Sequence, residues 1–233
     1  MPSLNAAFSS MSDALAGHYG RPSSPTAGLP PFEATLATVL DRTVKTRKRD
    51  SVLLALREEG LLDPQSLAEA DPLEIEDALR SQGVALPRAA LAPLRRLARW
   101  LVDLHHGSAA EIAGPSSQVS PTQLREELLA LNGIGPATAD SILLYGLNQP
   151  VYPLDRATYR IFLRHGWIDP DVPYDDARDT IEQLSPDDAD HLGHLSFWFE
   201  RLGRDFCKAA KAKCERCPLR PFLPAEGPFE PSM

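Results

Sequence analysis

The sequence predicts an all-α protein. Three observations carry this: apolar residues recur at threes and fours almost continuously from Pro31 onward, alternating strand-like runs are nearly absent, and prolines and capping residues stand where helices would start. The first element is a short amphipathic helix over 4–18, followed by a Pro/Gly/Ser-rich connector over 20–31. Helical periodicity then marks 32–44, 51–59, 72–82, 87–105 and 121–131. Between the last two lies a small, polar, aperiodic loop at 107–120. Ser120-Pro121-Thr122-Gln123 reads as a helix start, with a serine cap, proline in the first turn and glutamine reaching back as in a capping box. Further helices are expected at 157–165, 174–184 and 187–206, and no internal repeat is visible.

A chain of 233 residues can hold one large or two small domains with substantial cores, and 43% hydrophobic with 24% charged residues is ordinary for a globular protein. No apolar run is long enough to span a membrane, and no basic-then-apolar leader stands at the start. The three cysteines all lie near the C-terminus, an odd number that argues against a disulfide framework. A cytoplasmic, monomeric protein is the expectation. The net charge of −8 argues against an unselective nucleic-acid binder, but its distribution is uneven. Residues 42–49 carry Arg42, Lys45, Arg47, Lys48 and Arg49 with no acid. Residues 201–220 carry seven basic residues against Asp205 and Glu215, whereas 169–190 hold nine acids against Arg178 alone. A basic run is most often a solvated face; two of them beside a phosphate-binding turn favour DNA contact.

That turn is the most informative segment. Leu131-Asn132-Gly133-Ile134-Gly135-Pro136-Ala137-Thr138 sets two glycines between two apolar-periodic segments. Glycine permits a tight turn with positive φ. Pro136 suits a first helical position, so the following amides lack helical partners and are available to a phosphate. Asp155 follows eighteen residues after Ala137, immediately before a predicted helix. Taken alone, it reads as an N-cap.

The segment 124–166 resembles the helix-hairpin-helix DNA glycosylase superfamily, in its endonuclease III-like branch. Leu131-Asn132-Gly133-Ile134-Gly135 is similar to that family's hairpin, and Thr138-Ala139-Asp140-Ser141-Ile142-Leu143 to the start of its second helix. Pro153-Leu154-Asp155-Arg156 takes the place of the catalytic aspartate motif, and Cys207-x6-Cys214-x2-Cys217 has the spacing of the iron–sulfur loop. The resemblance implies two helical domains flanking a DNA-binding cleft. A six-helix barrel over 32–146 would end in the hairpin, and 1–31 with 147–233 would form the second domain. It implies a base-excision-repair glycosylase that flips a damaged or mismatched base from double-stranded DNA, with Asp155 catalytic. The hairpin (Gly133, Ile134, Gly135, Ala137, Thr138) with Arg42 and Lys45 would hold the backbone of nucleoid DNA.

Three departures shape the expectation. The lysine that forms a Schiff base in bifunctional members is replaced by Ala137, which has no nucleophile, so strand cleavage by lyase chemistry should be weak or absent. Nothing in the sequence brings Lys45 or Lys48 to its place. The residue expected to fill the space of a flipped base is Val44, which cannot hydrogen-bond the orphaned partner. The implied [4Fe–4S] cluster lacks its fourth ligand, since Leu223 stands where a cysteine would. Cys207, Cys214 and Cys217 keep their three spacings, which favours a partial, labile cluster over the rival readings of zinc completed by His191 or His194 and of a loop without metal. Trp167, Phe197, Trp198 and Phe199 read as core anchors, and Tyr145 and Tyr152 as core or pocket residues. The competing functional reading is a helix-hairpin-helix damage sensor that has lost catalysis.

Overall fold

The computed structural model describes residues 4–229, with side chains from residue 7; the ends of the second predicted domain, 1–3 and 230–233, lie outside the described residues. Among the described residues every regular element is a helix, apart from an isolated bridge between Cys207 and Ala212. The chain divides into two compact units, Pro25–Gln149 and Met1–Ser24 joined to Pro150–Met233.

The central unit contains α2 (Pro31–Asp41), α3 (Thr46–Glu58), α4 (Pro64–Glu69), α5 (Pro72–Ser81), α6 (Arg88–His105), α7 (Pro121–Leu129) and α8 (Pro136–Ser141). α8 runs on into a π-helical turn, Ile142–Gly146. Its core is aliphatic, with Leu36, Leu40, Leu56, Leu94, Leu97 and Leu128 fully enclosed. α2 lies against the π turn, and a β-carbon at Gly146 would stand 2.9 Å from the Thr35 Cα, so only glycine lets these backbones meet. The turn is closed by Gln149, which is buried and donates Nε2 to the carbonyls of Ile112 and Gly114.

α4 is absent from the sequence reading because it buries only Leu67 and Ala68, too few for a period. Its start signal is nevertheless written in Asp63-Pro64: the aspartate caps the Ser66 amide. α3 begins at Thr46 rather than 51, its first turns concealed by their charge. Arg49 in that stretch is buried and holds Asp41 and Asp50, each at 2.8 Å. One member of the basic run is therefore structural.

The other unit is built from α1 (Leu4–Tyr19), α9 (Arg156–Arg164), α10 (Tyr174–Leu184) and α11 (Ala189–Asp205). Phe162 is its centre, meeting Phe8, Trp167 and Phe199 edge-on. Trp198 and Phe199 are buried as expected, while Trp167 and Phe197 are half-buried. Tyr152 is also core: it is fully enclosed and its hydroxyl pairs with Thr158 Oγ1 at 3.1 Å. α9 and α11 approach closely at Gly203, where a β-carbon would collide with Ala157.

Candidate nucleic-acid contact and active-site residues

The hairpin is held from both sides of α7. Arg125 Nε donates to Asp140 Oδ1 on α8 at 2.6 Å, and Asp140 is completely buried. Glu127 accepts from the Trp100 indole at 3.0 Å and meets His105 Nε2 at 2.7 Å, both on α6. Burial pushes the Glu127 carboxyl up, but hydrogen bonds from Gln123, His105 and Trp100 outweigh it and hold it below the usual range.

Between these ties the two glycines do different work. Gly133 has φ +89 and takes the turn, as expected. Gly135 does not: its φ is −94 and ψ 173, extended backbone open to any residue, and it is the N-cap of α8. A β-carbon there would meet nothing within 4 Å, so the fold itself does not require glycine at that position. Ile134 is buried and its amide bonds Leu131 O, while the Thr138 amide bonds Gly135 O. Among the described residues, the amides of Gly133, Gly135 and Ala137 make no hydrogen bond. These alternating donors are the ones available to an anion. Arg42 and Lys45 are exposed in the α2–α3 connection, with Val44 half-buried between them.

Asp155 caps α9, its Oδ1 accepting the Thr158 amide at 2.6 Å. It is half-buried, and its second oxygen makes no hydrogen bond among the described residues. The cap holds the carboxylate in place through one oxygen.

The other end of α9 grips the cysteine loop. Arg160 Nε donates to Cys207 O at 2.8 Å; Arg164 donates to Cys207 Sγ, Lys208 O and Ala209 O at 3.4, 2.7 and 3.2 Å. His165 Nδ1 meets Phe222 O at 3.2 Å, and its ring stacks on Trp167. Cys207, Cys214 and Cys217 do line one cavity, together with Leu223, Arg164 and His165. The cavity volume is about 10 Å³, room for about one water. Burial and the neighbouring thiols push the Cys217 thiol up to about 11, keeping it neutral. Among the described residues no three His, Cys, Asp or Glu side chains stand close enough to hold a metal ion. A four-thiolate cluster does not fit these residues, because the fourth place is an apolar side chain and the space is small. His191 and His194 are not among the lining residues; His194 stacks on Trp198. Among the described residues, the histidine that lines this cavity is His165, which a C-terminal ligand spacing could not point to.

Residues 121–145 match the family model of the helix-hairpin-helix motif. The chain is 28% identical to endonuclease III of Thermotoga maritima over 190 residues, 82% of this chain and 81% of that protein. It is 27% identical over 191 residues to a Methanocaldococcus jannaschii protein provisionally named a DNA repair glycosylase, covering 82% of this chain and 84% of the relative. Endonuclease III in a non-covalent complex with DNA shares the fold, with a TM-score of 0.68, 22% identity and 94% of each chain covered.

The grip of α9 on the loop has a pH signature. Burial holds the His165 imidazole down to about 4, against the opposing hydrogen bond to Phe222, whereas the unfolded chain titrates near 6.5. Between those values the unfolded state takes up a proton that the folded state refuses. Stability is therefore full above pH 6.5 and falls as the pH drops toward 4, by roughly 3 kcal/mol from this group. Denaturant unfolding at successive pH values should show that loss, and His165→Gln should flatten it; an unchanged slope in the variant would assign the titration elsewhere.

Proposed function

We propose that this protein, an endonuclease III-like helix-hairpin-helix protein by motif, relatives and fold, is a monofunctional DNA glycosylase. It would act on double-stranded DNA in the cytoplasm, as a monomer, breaking the bond between a flipped damaged or mismatched base and its sugar. Extruding the base costs a few kcal/mol, least where pairing is already weakened. Positive charge then develops on the sugar, and the Asp155 carboxylate stabilises it or activates a water.

The observation that carries this reading is the state of Asp155: fixed by the α9 cap through one oxygen, with the other uncommitted. The lack of lyase action rests on Ala137, which carries no nucleophile. The chain has five lysines, Lys45 and Lys48 near the start of α3 and Lys208, Lys211 and Lys213 in the cysteine loop. None belongs to the hairpin. We take the cysteine loop to be held by Arg160, Arg164 and His165 and to keep its shape without a cluster, its lysines serving phosphate contact.

The deciding experiment is base release from a panel of damaged and mismatched duplexes, with and without alkali. Breaks should appear only after alkali, and borohydride should trap no covalent complex. Asp155→Asn keeps the cap but should lower base release at least a hundredfold with duplex binding intact; retained turnover in this variant would remove Asp155 from the chemistry. Binding of distorted duplexes with no product from any substrate would favour the non-catalytic reader instead.

The glycines separate fold from contact. Gly135→Ala should leave the melting temperature unchanged yet weaken duplex binding, because its β-carbon meets no protein atom and intrudes only on a ligand. Gly133→Ala should cost stability by about 1 kcal/mol, since its φ is positive. Equal destabilisation by both would make Gly135 merely structural. For the loop, anaerobically purified protein should contain well under a full cluster of iron, and chelation should leave its melting temperature unchanged; stoichiometric iron whose removal lowers it would reverse that reading.

A further inference from the structure

α6 carries three arginines in its middle, and they do not face the same way. Arg95 and Arg99, one turn apart, both donate to the Ala68 carbonyl at 3.3 and 2.8 Å and so bind α6 to α4. Arg96 lies about 100° round the helix from Arg95 and turns instead to the hairpin. Its Nη1 donates to the Asn132 carbonyl at 2.7 Å and stands 3.5 Å from where a β-carbon of Gly133 would lie.

This is more charge than the turn needs. One neutral donor would satisfy Asn132 O, but a guanidinium brings a full cation and five N–H donors. Arg96 has no acidic partner among the described residues. The carboxylate on α8, Asp140, is already neutralised by Arg125. The half-exposed Arg96 head thus keeps surplus donors on the carbonyl side of the Asn132–Gly133 peptide, facing away from the Gly133 N–H. The remaining N–H donors of a guanidinium match a pair of phosphate oxygens.

We propose that Arg96 is a phosphate-binding residue, clasping the hairpin through Asn132 and neutralising one phosphate of the duplex backbone at that turn. The inference rests on the DNA-binding reading above and adds to it a residue outside the hairpin sequence. The alternative role for Arg96 is a purely structural clasp, and the two differ in one measurable respect. Each phosphate neutralised by a protein cation contributes about 0.9 to the slope of log affinity against log salt. A clasp contributes nothing to that slope.

The test measures the affinity of the full chain for an undamaged duplex over a range of KCl concentrations, with melting temperatures in parallel. Arg96→Ala should weaken binding roughly tenfold at low salt and lower the slope by about 0.9. Arg96→Lys should restore the slope, since it keeps the charge. Arg99→Ala, which removes a cation aimed at Ala68, should leave the slope as in the parent. A lowered melting temperature with an unchanged slope in Arg96→Ala would reduce the residue to a clasp and overturn the inference. An equal loss of slope in Arg99→Ala would overturn it too, by making the effect one of overall charge. If the parent chain shows no salt-dependent duplex binding at all, the DNA-binding reading itself fails, and the inference with it.

Discussion

The buried pair of Asp140 and Arg125 is the interaction on which the hairpin depends. A carboxylate with no solvent exposure cannot stay ionised without a partner, and removing one member of such a pair typically costs about 3–5 kcal/mol. The pair joins α8 to α7 behind the turn. On another side of α7, Glu127 is drawn to α6 by Trp100 and His105. With both ties made, residues 132–135 have little freedom left. The amides of Gly133, Gly135 and Ala137 are then fixed before any ligand arrives, so binding need not supply the cost of ordering them.

The same economy governs α9. Its first turn begins on Asp155 and its last turn, through Arg164 and His165, holds the cysteine loop. Because α9 and α11 meet at Gly203 without an intervening side chain, α9 has little room to shift along its neighbour. A helix set so firmly at its end and middle fixes the aspartate at its start. The loop thereby supports the carboxylate mechanically. Arginine-to-carbonyl hydrogen bonds and the apolar side chains of Leu202, Leu219 and Leu223 give the loop its cohesion.

Much of this was legible in the sequence, for identifiable reasons. Helices with a broad apolar face, such as α6 over Arg88–His105, fall within a residue of their predicted bounds because burial writes the period directly. α4 escaped because six residues with two buried side chains have no period, and the start of α3 escaped because its buried polar residue, Arg49, is enclosed by ion pairs rather than by apolarity. The π turn left no sequence trace other than Gly146, whose need is set by Thr35 more than a hundred residues earlier. At the candidate site, the hairpin could be read from its glycines and proline, and Asp155 through the family resemblance. Arg96 could not, since its meaning comes from where α6 passes the turn; nor could His165, brought to the cysteines by the end of α9.

The charge distribution completes the physical case. A chain of net charge −8 would repel a polyanion if its charges were spread evenly. They are not, and several are withdrawn from the surface field altogether. Arg49 is consumed by Asp41 and Asp50, so the run at 42–49 presents Arg42, Lys45, Arg47 and Lys48. On α10, Arg178 lies against Asp175, Asp179 and Glu182, which gathers part of the acidic stretch around an internal counter-charge. With a Debye length of about 8 Å at physiological salt, a phosphate responds to the few charges immediately beside it. Among the described residues, those at the hairpin turn are an arginine without an acidic partner and open amides, while the nearby carboxylate is already neutralised. Local electrostatics can therefore attract a backbone phosphate even though the sum over the chain is negative, and the acidic remainder restrains binding away from that turn.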